Sequence, residues 1–168
     1  MQIQIEPIGI DKADVVQKIF EASPGYFRNT AQSDVLPHFA FKEMTEGPTP
    51  EKQTPTYEKV FCLLRVEGKA IGVVDLHKDH PQRDLCYIGL LLLEESRQRK
   101  GLGKTLCSEI ELFVKSQLHC SKLVLGISQD NDVEGFWAKV GFVRNGRSYV
   151  YTSEGHDNEV FEMEKVLG

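Results

Sequence analysis

Ile3, Ile5 and Ile8 space themselves between polar neighbours at the N-terminus, the pattern of a half-buried strand. The period then lengthens. Ala13, Val16, Ile19 and Phe20 recur at helical spacing, which predicts a helix from Asp11, a capping residue, to about Glu21. Ser23-Pro24-Gly25 reads as its stop. Between Tyr26 and Tyr57 the pattern weakens. A short helix from Ser33, as cap, to Met44 fits there, and 46–55, with Gly47, Pro48, Pro50 and Pro55, reads as loop.

From Lys59 onward strands dominate. Val60 to Val66 and Ala70 to His77 flank the turn Glu67-Gly68-Lys69, a hairpin signal. Leu85 to Leu93 is apolar on both faces, as a strand in the middle of a sheet must be. Gly89 within it predicts a bulge or a close backbone approach. Leu102, Leu106, Ile110, Phe113, Val114 and Leu118 form the apolar stripe of a helix over 101–118. A strand over 122–127, a short helix over 132–139 and a strand-rich tail with a turn near Gly155 and a last strand over 160–166 complete the chain. The order β-α-(α)-β-β-β-α-β-α-β-β predicts one mixed α/β (α+β) domain over 1–168.

Composition narrows the function classes. The 168 residues are 40% hydrophobic and 27% charged, with a formal net charge of −5. That size suits one core. The acidic balance argues against a nucleic-acid surface, which needs clustered Lys and Arg. No apolar run approaches the roughly 18–20 residues of a membrane span, and Met-Gln-Ile-Gln-Ile-Glu lacks the features of a secretory signal. Cys62, Cys86, Cys107 and Cys120 form no close pair, so neither a metal site nor a disulfide framework is expected. They read as core thiols of a cytoplasmic protein.

The densest chemical signal lies where the apolar strand meets the long helix. Gln98-Arg99-Lys100-Gly101-Leu102-Gly103-Lys104 joins two glycines to local positive charge at a helix start. The first amides of a helix lack internal partners and carry the positive end of its dipole, so small residues there let a phosphate approach. Gly103-Lys104-Thr105 matches the second half of a P-loop, but its first glycine would fall at Gln98. A dinucleotide fingerprint fails at Leu106.

Gln98, Gly101 and Gly103 instead match Gln/Arg-x-x-Gly-x-Gly/Ala, the signature of the GNAT N-acetyltransferases. Leu91-Leu92-Leu93 resembles the strand end that runs beside pantetheine in that family. Phe136-Trp137-Ala138-Lys139-Val140-Gly141-Phe142 resembles its Phe/Leu-Tyr-x-Lys-x-Gly-Phe segment, and Met163-Glu164-Lys165 also looks like such chains. Asn131 resembles the Asn ahead of the aromatic segment, although it precedes Phe136 by five residues where the family has six, and Asp130 is an alternative. The resemblance runs from about Val60 to the C-terminus.

It implies the family's single-domain fold, a mixed, mostly antiparallel central sheet flanked by helices, with acetyl-CoA as donor, no metal, and a primary amine on a small molecule or a protein as acceptor. It implies a cofactor half over about 60–142, with Leu91, Leu92, Leu93, Gln98, Arg99, Lys100, Gly101, Leu102, Gly103, Lys104, Asn131 and Trp137 at the donor. An acceptor-facing part lies over about 20–57, with Tyr26, Phe27 and the loop 46–56 as walls. A homodimer is compatible with the sequence.

Two departures bear on catalysis. Trp137 stands where many members have a Tyr that protonates the departing thiolate, which an indole cannot do. Tyr87 stands where some have a Glu base. Asp75 is the candidate base, with Glu94 and Glu95 as alternatives, and Tyr149 or Tyr151 the candidate acid. His77 and His80 read as surface residues. The same departures suit a second class, a non-catalytic acyl-CoA-binding module.

Overall fold

A computed structural model describes residues 2–30, 34–129, 131–153 and 155–168. Its centre is a seven-stranded sheet of order β1-β2-β3-β4-β5-β7-β6. The strands are β1 (Ile3–Pro7), β2 (Glu58–Val66), β3 (Lys69–Lys78), β4 (Leu85–Leu93), β5 (Lys122–Ser128), β6 (Val143–Ser153) and β7 (His156–Val166). Every neighbouring pair is antiparallel except β4 and β5, which run parallel. A parallel pair needs a crossover, and helix α4 (Leu102–Phe113), extended by a wider turn over Val114–Leu118, provides it. The β2–β3 hairpin closes on Glu67 and Gly68, both at positive φ, where glycine removes the strain of the left-handed region.

The sheet buries both faces. On one, Cys62, Leu64, Val74, Cys86, Ile88 and Leu125 pack against Leu106 and Ile110 of α4, Val114 of its extension, and Trp137 of α5 (Glu134–Lys139). On the other, Phe61, Leu63, Val73, Leu90 and Leu92 pack against α1 (Ala13–Glu21), α2 (Pro24–Thr30) and α3 (Phe39–Thr45) through Val16, Phe20, Phe27, Phe39 and Ala40. β4 contributes to both clusters, which is why it is apolar throughout. All four cysteines are buried and free.

The structure corrects the N-terminal third. Asp11 does not cap α1; it lies in a single 3-10 turn, Ile10–Lys12, that precedes it. Pro24 opens α2 instead of ending structure, because proline's fixed φ and missing N–H suit a first helical turn. The helix expected over 33–44 is the shorter α3, and its supposed cap, Ser33, lies outside the described residues.

Candidate active site

The glycine segment forms a cradle with locked edges. Between β4 and α4, Leu93 O accepts hydrogen bonds from Gln98 Nε2 at 2.8 Å and from the buried Ser23 Oγ at 3.2 Å. Glu95 Oε1 accepts the Gly25 N–H at 2.7 Å, tying the loop to the first turn of α2. Arg99 (φ 56°) and Gly101 (φ 75°) are both left-handed and turn the chain into α4. Gly101 is the N-cap, and no side chain caps the helix, so the first amides of α4 stay open to an anion. Arg97, Arg99, Lys100 and Lys104 have no acidic partner among the described residues. Gly103 carries the Phe136 ring; a Cβ there would lie 2.6 Å from Phe136 Cε2.

Beside the cradle the sheet parts. β4 and β5 pair only from Leu85↔Lys122 to Ile88↔Leu125. Gly89 is then an extra residue on β4, bulged where Asp75 pairs with Leu90 and Leu76 with Ile88. A bulge bends its strand, and from Gly89 to Leu93 β4 keeps β3 on one side and no strand on the other. Across the opening, Gly126 of β5 leaves room for two tyrosines. A Cβ there would lie 2.6 Å from the Tyr149 hydroxyl and 2.7 Å from that of Tyr87. The two hydroxyls bond to each other at 2.5 Å. Burial raises both tyrosines above their ordinary value and keeps them protonated.

A polar cluster sits at the same place on the face that carries α1–α3. Lys59, His77 and Tyr87 are register partners across β2, β3 and β4 and so share a face. Asp75, 3% exposed, accepts through Oδ2 from Lys59 Nζ at 2.8 Å and bonds His77 Nε2 at 3.0 Å. Its Oδ1 is buried without a partner. Tyr57 OH bonds His77 Nδ1 at 2.8 Å. Burial, and then the Asp75 charge, push Tyr57 up to about 12. Burial and His77 lower His80. On α3, burial first and then Asp75 push the Glu43 carboxyl up to about 7, against a smaller opposing pull from Lys59. The cluster meets bare backbone at Gly89, where a Cβ would lie 2.8 Å from His77 Nε2 and 3.0 Å from Asp75 Oδ2. Gly89→Ala should therefore push both side chains aside and lower the melting temperature by a few degrees, which a melting curve checks.

Residues 19–142 match the Acetyltransferase (GNAT) family. The chain belongs to that family. Among solved structures, an acetyltransferase from Thermus thermophilus superposes with a TM-score of 0.73 at 18% identity, covering 99% of this chain and 98% of its own. A spermidine N-acetyltransferase from Vibrio cholerae, in complex with CoA and spermine, gives 0.72 at 14% identity over 99% and 96%. A dodecameric structure of spermidine N-acetyltransferase from Vibrio cholerae gives 0.68 at 14% identity over 99% and 94%. No curated protein matches the chain.

In this GNAT chain the residues singled out from sequence fall into three groups. Leu91, Leu92 and Leu93 line the parted strand, and Gln98 to Lys104 form the cradle next to it. Asp75 and Tyr149 reach the opening from different strands. Trp137 lies deeper. It is 9% exposed, packed edge-on between Phe136 and Phe142 at 5.1 Å from each, within the α4-side core. Asn131 follows β5, its N–H donating to Ser128 O at 2.9 Å, and lines an open cleft of about 600 Å³ with Gln129, Arg144, Ser148 and Glu162. Asp130 lies outside the described residues.

Several expectations are corrected. His77 is 8% exposed and inside the sheet, because β3 continues to Lys78 next to the central strand; His80 is half-buried against Tyr87. Glu95 is committed to Gly25. Phe27 belongs to the core instead of an acceptor wall. The loop 46–56 is pinned beside the cluster by Thr54 and Thr56, which donate to Asp79 O and Oδ2. Lys59, Tyr57 and Glu43 escaped the sequence reading. Lys59 and His77 become register partners only once β2 and β3 are paired, and Glu43 follows the buried Phe39 and Ala40 by four and three residues, a sheet-facing position on a helix.

Proposed function

We propose that this GNAT member transfers an acetyl group from acetyl-CoA to a primary amine of a small molecule or protein. The observation that carries the reading is the parting of β4 from β5 after Ile88↔Leu125, which puts one opening between the uncapped start of α4 and the Asp75 cluster. The chain's residues suit the donor. The amides at 102–104 and the flanking basic side chains fit a pyrophosphate, and the open edge at Leu91–Leu93 fits the amides of a pantetheine arm laid down as an added strand. When bound, the donor supplies an activated acyl group as a thioester. A β4 amide near Leu91 or Leu92 polarises the acyl carbonyl.

The amine is received on the α1–α3 face beside Gly89, where Asp75 Oδ1 is free to accept an N–H and assist its deprotonation. Tyr149, held by Tyr87 above Gly126, returns a proton on the far side of the opening. No helix among the described residues is long and apolar enough to cross a membrane; the four buried thiols support a cytoplasmic site. The edge strand β6 exposes Val143, Val150 and Tyr151 along its length, an edge that a second copy would cover in a homodimer.

Trp137, buried where a proton-donating Tyr stands in relatives, favours a second reading, an acyl-CoA-binding module without turnover. Free-thiol release across a panel of amines separates the two. Release above the acetyl-CoA-only rate is expected; acetyl-CoA binding with no release on any amine would leave the module.

A further inference from the structure

Within the acetyl-transfer reading, the loop that suits the donor is bonded to a helix on the acceptor side. The turn between α1 and α2 meets the end of β4 and the start of the cradle at three points. The fully buried Ser23 hydroxyl donates to Leu93 O at 3.2 Å. Glu95 N donates to Ala22 O at 3.3 Å. Glu95 Oε1 accepts from Gly25 N at 2.7 Å. Pro24 has no N–H, so Gly25 brings the first amide that α2 can offer, and the carboxylate that takes it lies 70 residues further along the chain. A negative charge at the positive end of a helix steadies it. α2 has seven residues, too few to persist by propensity. Its other anchor, Phe27, packs in one cluster with Leu90 and Leu92 of β4. The close approach needs glycine at 25, where a Cβ would lie 2.7 Å from Glu95 Oε1.

We propose that Glu95 is a positioning residue that couples the donor loop to α2, so that a donor held at 98–104 steadies the helix on the acceptor side. Glu95 touches neither the acyl group nor the amine; it acts through Gly25. The coupling has its origin in charge. Arg97, Arg99, Lys100 and Lys104 follow Glu95 closely in sequence and have no acidic partner among the described residues. Without a donor, these cations compete with the Gly25 N–H for the Glu95 carboxylate. A pyrophosphate occupies them and leaves the carboxylate to α2. Ser23 and Gln98 both hold Leu93 O, so the end of β4 stays in place whichever partner the carboxylate takes. Coupling between two sites is reciprocal: what the donor does for α2, α2 does for the donor.

Hydrogen exchange of the α2 amides, with and without saturating acetyl-CoA, reads the coupling, and a melting curve on the same samples reads donor binding. In the wild-type chain acetyl-CoA should raise the melting temperature and slow exchange over 25–28 about fivefold. Glu95→Ala should still be stabilised by acetyl-CoA, because the cradle amides remain. Its α2 should exchange at one rate with or without the donor, and its acetyl-CoA affinity should fall about fivefold. Glu95→Gln should restore most of both, since an amide oxygen accepts the same N–H. Gly25→Ala should behave as Glu95→Ala does, because its methyl displaces Glu95 Oε1, although alanine is the better helix former. A glycine with a structural role alone would give the reverse, a steadier α2 and an unchanged donor affinity. Slowing that persists in Glu95→Ala or Gly25→Ala, or no recovery in Glu95→Gln, overturns the inference. A wild-type chain whose melting temperature rises without slowing in α2 overturns the inference alone. No rise at all removes the donor site and the inference with it. Full coupling with no thiol release on any amine overturns the transfer reading and leaves the coupling standing.

Discussion

Replacing Gly101 and Gly103 together by glutamate should erase the thermal stabilisation that acetyl-CoA gives the wild-type chain. A ligand present at about 100 times its dissociation constant stabilises by about 2.7 kcal/mol, which for a chain of 168 residues is a rise of about 5–10 °C. The double variant loses this for two reasons. Two carboxylates would stand where the amides of α4 await an anion, reversing the local field. Gly103→Glu also puts a Cβ 2.6 Å from Phe136 Cε2, so the ring must swing toward the cradle or away from its core contact. Part of the effect is backbone. Gly101 is left-handed at φ 75°, and a side chain there costs about 1 kcal/mol. Gly101→Ala separates the two, because it adds strain without charge; it should lower the unliganded melting temperature by a few degrees and keep part of the shift. A double variant that still responds fully to acetyl-CoA would show that the donor binds elsewhere.

Lys59→Met should be the most destabilising exchange in the polar cluster. The Lys59 and Asp75 side chains are 16% and 4% exposed. Removing one partner of so enclosed a pair leaves an uncompensated charge, at about 3 kcal/mol or more, a fall of about 6–12 °C in melting temperature. Combining Lys59→Met with Asp75→Leu should recover most of the stability, because apolar replacements of a buried pair are nearly neutral. The recovered variant should remain inactive. Stability and activity would then separate within a single double-mutant cycle. A single Lys59→Met with unchanged melting temperature would mean that Asp75 is solvated in solution.

What the sequence discloses follows from how local each determinant is. β2, β3 and β4 are legible because alternation, the Glu67–Gly68 turn and the double-faced run at 85–93 are all contained in the strands themselves. The cradle is legible for the same reason: strand end, glycines and helix start are contiguous. The bulge at Gly89 follows from one glycine in an apolar strand. Between residues 24 and 45 the helices are seven residues each, too short to hold by propensity, and they persist through Phe27, Phe39 and Ala40 packed on the sheet. That packing leaves only a faint local period. The cluster is harder still. His77, next to a turn in sequence, looks exposed until strand order sets it between Lys59 and Tyr87. Glu43 is thirty-two positions from Asp75, and no spacing rule connects them.

The parting of β4 from β5 has a cost for the resting protein. Most sheets confine raw strand borders to their rims, where a foreign strand can dock and start an aggregate. This sheet also has one in its middle. Its defences are brevity, with only Gly89–Leu93 beyond the paired region, the kink at Gly89, and the two tyrosines lodged above Gly126. Under the proposed function the donor is itself a cover for that border, so a cell short of acetyl-CoA would hold this protein in its stickiest form.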